Sequence, residues 1–447
     1  MEVIRQDQLL RRDFGVSTAV VLAFLTLVII LVLWVTTQDS YLSDVAYYHD
    51  RTQLLGKAGL DATLREYPTP VVWLLSIPHL FSDDLSGYGT AFMVMLLLFD
   101  LFFCALLWRF GGAHRNQAIV FWSVFLMAMG PLVWLRFDVV PAILVGGAAL
   151  FALSRPRVAG GLLGLGAAIK LWPVALFPLL LTRGRRRGAL LGLAITGGGL
   201  AVISVIAGGW QRLLSPLFWQ SDRGLQIESV WATGPMLARL ADLDNWQVQL
   251  SPYQAYEIFG PGVDAMLVLT RVATVLAIAF CLALVARTLF PAPRPGLRLS
   301  RPAGGTASIA TTMLAFVALI IVTNKTLSPQ YIPWLGGCLT VVVARLGLSR
   351  GTVLRWALTL VAMAVLSQLV FPELYPHLLG IASTPQQVAV ATLVLTLRNS
   401  LLVAFTIDVC VVAWRQHDRA FATASRRTSS GVGLASETSS HLVRDLG

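Results

Sequence analysis

The feature that most constrains this chain is a series of apolar runs, each about as long as a bilayer is thick. A helix needs roughly 20 apolar residues to cross the hydrocarbon core, and such runs recur along all 447 residues without a soluble domain between them. Charged residues make up 13% of the chain, whereas a soluble domain carries about a quarter. The sequence therefore predicts an all-α polytopic membrane protein.

The apolar runs and the breakers between them predict about ten spanning helices. The predicted spans are 17–36, 88–110, 116–134, 137–153, 187–208, 263–288, 308–326, 330–346, 353–371 and 388–414. The first run is longer than a secretory signal core of roughly 7–15 residues and lacks a small-x-small cleavage site. We therefore interpret it as a membrane helix.

Arginines concentrate in the short loops on one side of these spans. They are Arg109, Arg115, Arg155, Arg157, Arg183, Arg185, Arg186, Arg187, Arg287, Arg294, Arg298, Arg301, Arg345 and Arg350. The positive-inside rule makes this side cytoplasmic, so the net charge of +11 reports topology and predicts no nucleic-acid partner. We expect a cytoplasmic N-terminus over 1–16, a membrane region over 17–415, and a cytoplasmic, disordered Ser/Thr-rich tail over 416–447. The long outer loops would be 37–87 and 209–262.

One apolar segment, 158–181, has arginines at both ends. A single crossing would place one arginine cluster outside. We interpret the segment as a re-entrant hairpin that turns between Lys170 and Pro173, because proline breaks helices and irregular backbone at this depth must be shielded by protein. The alternative is one ordinary helix that violates the statistical charge rule locally.

Acidic residues gather directly after the first predicted span. Asp39, Asp44 and Asp50 lie there with His49, at the level where the head group of a membrane lipid would sit. A carboxylate in this position is suited to act as a general base on a lipid-borne substrate. The alternative is that each is an ordinary solvated acid.

Basic residues in the other outer segments are candidates for holding a phosphate. Arg136 precedes Phe137 and Asp138 at a helix end, where a charge needs a partner or a function; the alternative is that Arg136 and Asp138 pair with each other. Arg223 offers a bidentate fork, and Lys325 offers a point charge. Ser328 and Pro329 beside Lys325 are equally explained as the start of a helix.

Taken in order, these segments resemble glycosyltransferase family 87. The resemblance rests on the acidic first outer loop, Arg136-Phe137-Asp138 with Pro141, the Gly-rich run ending at Lys170 and Pro173, the segment 223–229, and Ser328-Pro329-Gln330-Tyr331, and it covers roughly 17–415. The family comprises polyprenyl-phosphate-mannose-dependent mannosyltransferases of actinobacterial envelopes with the GT-C fold.

The resemblance implies a hexosyltransferase of the bacterial plasma membrane whose active site faces outward. A sugar, expected to be mannose, would pass with inversion from a polyprenyl-phosphate donor to a lipid-linked or envelope glycan acceptor. The base would be Asp44, with Asp39 and Asp50 as rivals. The donor phosphate would contact Arg136, Arg223 and Lys325. The acceptor or the sugar would contact Tyr47, His49, Asp50, Gln226, Glu228, Gln330 and Tyr331.

Because cationic side chains such as Arg223 and Lys325 could stabilise the leaving phosphate, we expect neither a metal nor another cofactor. The four cysteines lie in apolar runs without a CxxC pair. Two other functions remain open. A transporter or flippase for a lipid-linked sugar would use ionisable residues inside the membrane, for which Asp100, Arg271, Arg398 and Asp408 are the candidates. A non-catalytic envelope scaffold is the other, because a fold alone does not establish chemistry.

Overall fold

The computed structural model describes residue 26 and residues 43–221, 223–289 and 305–442, and this part of the chain is mostly helical. The predicted first span, 17–36, lies outside the described residues apart from residue 26, as does Asp39. The division into a membrane region and two cytoplasmic ends stays a prediction.

The α-helices follow one another with short connections. In chain order they are α1 (Ser43–Gln53), α2 (Leu55–Ala58), α3 (Thr69–Ser76), α4 (Leu85–Phe110), α5 (Arg115–Met129), α6 (Val139–Phe151), α7 (Pro156–Ile169), α8 (Arg186–Leu193), α9 (Gly199–Ser221), α10 (Thr233–Ala238), α11 (Val263–Leu289), α12 (Thr306–Thr323), α13 (Ile332–Arg345), α14 (Arg350–Gln368), α15 (Tyr375–Leu379) and α16 (Pro385–Leu442).

Shorter elements connect them. The 3₁₀-helices are Leu60–Ala62, Ile77–Leu80, Gly130–Trp134, Trp172–Leu180, Val230–Ala232 and Pro329–Tyr331, and π-helical turns cover Ala194–Gly198 and Leu369–Glu373. Among the described residues, the strands are β1 (Gln247–Leu250) and β2 (Tyr256–Phe259), an antiparallel pair in which Gln247 lies opposite Phe259.

Within the described residues, 7 helical segments are long and apolar enough to cross a membrane. They are Leu85–Phe110, Arg115–Trp134, Arg186–Trp219, Val263–Leu289, Thr306–Thr323, Arg350–Glu373 and Pro385–Gln416. Each corresponds to one of the ten predicted spans. The prediction of an all-α polytopic membrane protein is confirmed.

Two predicted spans, 137–153 and 330–346, are shorter than expected. Their helices, α6 and α13, contain 13 and 14 residues and so measure about 20 Å, less than the roughly 30 Å of a hydrocarbon core. Both are buried inside the bundle, with every residue of α6 shielded. At their crossing, a Cβ added to Gly337 would lie 2.0 Å from the carbonyl oxygen of Ala142. The two backbones therefore touch.

The segment 158–181 forms the predicted re-entrant hairpin. Helix α7 ends at Ile169, Lys170 is extended, and the 3₁₀-helix Trp172–Leu180 follows. Helix α8 then runs parallel to α7, since Gly188 approaches Pro156 and Gly192 approaches the carbonyl of Arg157. Parallel packing of successive helices requires the chain between them to return to its starting level. The arginines at both ends therefore lie at one level of the bundle, as Arg185 shows by donating to the carbonyl of Leu153 at 2.9 Å.

The two predicted outer loops contain helices. Helices α1 to α3 occupy most of the described part of 37–87. The loop predicted from residue 209 begins later, because helix resumes after Gly209 and continues to Ser221. Gly209 itself has φ 71° and ψ 179°, a conformation that only glycine adopts readily.

Candidate active site

Asp44 lies in the first turn of α1, where the positive end of the helix dipole stabilises a carboxylate. Its carboxylate forms an ion pair with the guanidinium of Arg136, which lies just before α6. The Arg136 guanidinium also donates to the side-chain carbonyl of Gln330. Because 31% of the Asp44 side chain and 12% of the Arg136 side chain are exposed, this ion pair lies partly shielded and still within reach of a substrate.

A second ion pair involves Asp138, two residues after Arg136 in the chain. The Lys170 ammonium, at the tip of the hairpin, lies 2.5 Å from Oδ1 of Asp138, and the indole of Trp334 donates to the same oxygen at 3.0 Å. The Asp138 side chain is 4% exposed. The alternative in which Arg136 and Asp138 pair with each other is wrong, since each has a partner on a different segment.

Aromatic rings surround the Lys170 ammonium. Its nitrogen lies 5.2 Å from the ring centroid of Phe137, 5.3 Å from Trp334, 5.4 Å from Tyr331 and 5.8 Å from Tyr67. These distances fall within the range of cation–π attraction. Lys170 is therefore a fixed, largely desolvated cation beside the Asp44–Arg136 pair.

Tyrosines of α1 and of the segment before α3 line the same region. The hydroxyl of Tyr47 donates to Oε1 of Glu66 at 2.8 Å. Tyr48 and Tyr67 are enclosed, and burial raises the pKa of both phenols well above the ordinary value. Their rings pack on Phe137 at centroid distances of 5.7 and 5.1 Å. These neutral phenols form an aromatic wall between the two ion pairs.

The candidate cations Arg223 and Lys325 lie together on a neighbouring part of the site. The Lys325 ammonium donates to the carbonyl of Arg223, and the Arg223 guanidinium donates to the carbonyl of Tyr253 at 3.0 Å. The side-chain amide of Gln226 donates to the hydroxyl of Ser328 at 3.0 Å. The segment 223–226 is thus joined to the segment that continues to Gln330.

Glu228 is enclosed by protein. Its carboxylate lies 2.9 Å from the Arg398 guanidinium, and the side chains are 2% and 0% exposed. Burial raises the pKa of Glu228, while the charges of Arg398 and then Arg136 oppose that change. Arg398 also donates to the backbone carbonyl of Glu228 at 2.6 Å. This ion pair fastens the segment 223–229 to α16.

His49 and Asp50 lie on another face of α1. Nδ1 of His49 is 2.9 Å from Oδ1 of Asp50, and Nε2 of His49 is 2.9 Å from the carbonyl of Asp83. Asp50, with Gln53, His79 and Asp83, lines an open cleft of about 780 Å³. The structure therefore separates these two candidates from the Asp44–Arg136 pair. Among the residues that the structure describes, no group of three or more His, Cys, Asp or Glu side chains is arranged to hold a metal.

The ionisable residues inside the predicted spans have local partners for the most part. Asp100 accepts from the indole of Trp122 at 2.6 Å. Asp408 accepts from Arg355 and from Trp356, each at 2.6 Å. Arg271 is exposed on α11. Asp100 and Asp408 therefore form separate contacts between neighbouring helices.

Several residues near the two ion pairs were not among the candidates from sequence: Lys170, Asp138, Trp334 and Glu66. Lys170 carried a usable signal, because it is a single charge inside the apolar segment 158–181 and such a charge requires a partner. Asp138 was considered as a partner of Arg136. Nothing in the local sequence links Trp334 or Glu66 to the site.

Comparison with known families agrees with this architecture. The description of the matching family is glycosyltransferase family 87, and the match covers residues 66–319, more than half of the chain. This region includes Arg136, Lys170 and Glu228 and begins after Asp44. No curated protein and no solved structure matches the chain. With its membrane-spanning helices, the chain therefore belongs to glycosyltransferase family 87 and is a multi-pass membrane glycosyltransferase.

Proposed function

We propose that the protein transfers a sugar from a polyprenyl-phosphate donor to a hydroxyl group of a lipid-linked or envelope glycan acceptor. Mannose is the first candidate sugar, because the resemblance of the motifs points to that donor. The observation that carries the proposal is the Asp44–Arg136 ion pair beside the enclosed Lys170. A carboxylate and two cations meet there, on the predicted first outer loop, just before α6 and at the tip of the hairpin.

Asp44 acts as the general base in this proposal. It takes the proton of the acceptor hydroxyl as the oxygen attacks the anomeric carbon, and the bond from that carbon to the phosphate oxygen breaks. Polyprenyl phosphate leaves with the bonding electrons, and the configuration at the anomeric carbon inverts. The proton on Asp44 then passes to solvent. General-base catalysis of this kind contributes roughly 10²–10⁴ in rate.

The cations stabilise the leaving phosphate, which gains one negative charge as the bond breaks. Arg136 offers a planar fork that matches phosphate oxygens, and its contacts to Asp44 and Gln330 hold it in place. Lys170 adds a second fixed charge. Fixed cations in a shielded site act strongly because no solvent has to reorganise during the reaction. Arg223 and Lys325 would hold the rest of the donor head group.

The remaining candidates fit contacts to sugar hydroxyls. Gln330 contacts Arg136 and Tyr331 lies near Lys170, and Gln226 lies beside them through Ser328. Tyr47 follows Asp44 by three residues on α1 and donates to Glu66. Asp50, which lines the open cleft, would contact a more distant part of a long acceptor, and His49 would contribute through its contact with Asp50. Glu228 would contribute indirectly, because its ion pair with Arg398 holds the segment 223–229 in place.

The active site would face the extracytoplasmic side, with both termini in the cytoplasm. This orientation follows from the arginines, which favour the cytoplasmic side, and from the hairpin, whose tip carries Lys170. Single cysteines near Arg155 and Arg186 should react with an impermeant thiol reagent applied from the cytoplasm, whereas one near Lys170 should not. Labelling of the Arg186 position from outside alone would reject this orientation.

The decisive experiment supplies purified protein in detergent with a panel of labelled polyprenyl-phosphate sugars and a hydroxyl-bearing glycolipid acceptor. We expect one sugar to be transferred with release of polyprenyl phosphate, and we expect Asp44→Asn to slow the transfer by roughly 10²–10⁴. A detergent solution has no second compartment, so formation of product there reports glycosyl transfer and not transport. Transfer from nucleotide sugars, with none from any polyprenyl phosphate, would contradict the proposed donor.

A further inference from the structure

The helical segment that contains α9 is too long for a single crossing. Arg186–Trp219 comprises 34 residues and would measure about 51 Å, against roughly 30 Å of hydrocarbon core. The backbone break at Gly209 divides it. The portion before Gly209 measures about 34 Å and suffices to cross. The portion 210–221, here named the surface helix, must therefore lie beyond the spanning portion.

One face of the surface helix is apolar and exposed. The exposed fractions are 69% for Trp210, 39% for Leu214, 55% for Leu217 and 65% for Phe218. Their spacing of four, three and one residues places all of them on one side of a helix. Before the break, Ile203 and Ile206 are also exposed, at 49% and 81%. The apolar face thus continues the lipid-facing surface of the preceding span.

The opposite face of the surface helix holds the segment 60–67. The residue Arg212 is only 2% exposed, and its guanidinium donates to four backbone carbonyls of that segment. They are those of Leu60 (3.1 Å), Thr63 (3.2 Å), Leu64 (3.2 Å) and Tyr67 (2.9 Å). The hydroxyl of Ser215 also donates to the carbonyl of Arg65 at 2.8 Å.

The segment 60–67 leads directly to the candidate active site. Its last two residues are Glu66, which accepts from Tyr47, and Tyr67, whose ring lies against Phe137 and near Lys170. Arg212 contacts none of the reacting groups assigned to the site. Its hydrogen bonds nevertheless determine the position of the backbone of the segment 60–67.

We propose that the surface helix lies in the interface of the bilayer, with Trp210, Leu214, Leu217 and Phe218 in the acyl-chain region, and that Arg212 is a positioning residue for the segment 60–67. A lipid surface is the partner because the apolar face continues the lipid-facing span and because tryptophan favours the membrane interface. The inference does not depend on which donor the enzyme uses. It links membrane contact to the geometry of the site.

Nitroxide accessibility tests the membrane contact. Leu217→Cys would carry the spin label in protein whose four natural cysteines are replaced, reconstituted in phosphatidylcholine and phosphatidylglycerol vesicles. Val275→Cys, exposed on the span α11, is the lipid control, and Gln249→Cys, exposed on β1, is the water control. We expect the label at 217 to collide with oxygen and to be protected from a water-soluble nickel complex, as at 275. Accessibility like that at 249, or protection from both reagents as under a second protein copy, would overturn the proposal.

Hydrogen exchange and kinetics test the positioning. In vesicles, Leu214→Gln with Leu217→Gln should raise amide exchange within 60–67 about tenfold, the change expected for loss of one charged hydrogen bond, while Gln211→Ala on the same helix should not.

Arg212→Lys should raise the same exchange and lower kcat about tenfold, since misplaced groups slow reaction strongly, with KM within about twofold. Unchanged exchange in 60–67 in the apolar-face variant would reject the link. A loss of folded protein with unchanged kcat in Arg212→Lys would assign Arg212 a structural role only. Both measurements test this inference independently of the proposed donor, because they can be made with any substrate that the enzyme accepts.

Discussion

Asp44 and Arg136 form an ion pair although one begins a short helix after the first predicted span and the other lies just before α6. Arg136 also donates a hydrogen bond to the side-chain carbonyl of Gln330. The pair therefore assigns Asp44, rather than Asp50 on another face of α1, to the region where cations and aromatic rings converge. This relationship defines the most direct mutational test.

Asp44→Asn should reduce turnover by roughly 10²–10⁴, the usual contribution of a general base, and should leave donor binding nearly unchanged. The amide keeps the size of the carboxylate and can still contact Arg136. The measurement is turnover and donor binding of the purified enzyme, beside Asp39→Asn and Asp50→Asn as matched variants. Normal turnover in Asp44→Asn with an inactive Asp39 or Asp50 variant would move the base to that residue.

Arg136→Lys should weaken donor binding by about 10- to 100-fold, because lysine keeps the charge but loses the planar fork that contacts Asp44 and Gln330. Donor titration with a non-hydrolysable analogue measures this effect. Arg223→Ala and Lys325→Ala provide the comparison and should also weaken donor binding more than acceptor binding. Unchanged donor affinity in all three would remove these cations from the donor site.

Lys170→Met should destabilise the protein by about 3–5 kcal/mol, since it leaves the buried Asp138 carboxylate without its cation. Lys170→Met combined with Asp138→Asn removes both charges and should recover much of the unfolding temperature. If Lys170 stabilises the leaving phosphate, turnover of the double variant stays low. Recovery of both stability and turnover would show that the ion pair has a structural role alone.

Glu228→Leu should destabilise the fold by a similar amount, about 3–5 kcal/mol, because the buried Arg398 then loses its counter-charge. The double variant Glu228→Leu/Arg398→Met should be more stable than either single variant. A thermal-unfolding double-mutant cycle in detergent measures the coupling. Additive losses would mean that the two charges do not interact, contrary to their 2.9 Å separation.

His79 should make stability depend on pH. Burial, and next the neighbouring His49, lower its pKa below the ordinary value, so the unfolded chain binds a proton more readily than the folded protein. The stability associated with neutral His79 is complete above pH about 6.5 and is lost as the pH falls through the lowered pKa. Unfolding temperatures measured between pH 8 and 5 should fall on the acid side, and His79→Asn should flatten that fall. An unaltered slope in the variant would assign the pH dependence to other groups.

Much of the architecture could be predicted because charge and hydropathy act locally along the chain. The arginines at both ends of 158–181 predicted the hairpin correctly. The lengths of α6 and α13 could not be predicted, because a helix buried by protein on every side has the same apolar composition as one buried by lipid. Their ends are set by the irregular segments that carry Asp138 and Tyr331.

The partners in the site could not be predicted from local patterns. Arg136 and Asp138 are close in sequence, yet each pairs with a residue on a distant segment, and Glu228 meets Arg398 across 170 positions. A charge in an apolar context signals that some partner exists. Its identity depends on how the helices are packed, which one sequence does not specify.

The backbone contact between Gly337 and Ala142 limits how the enzyme can open. Helices in such close contact cannot slide past each other without clashing, since packed interiors are as dense as crystals. Asp138 before α6 and Trp334 on α13 are joined by a hydrogen bond above this contact, so this floor of the site behaves as a rigid unit. Entry of the substrates and exit of the product therefore cannot depend on sliding of α6 against α13.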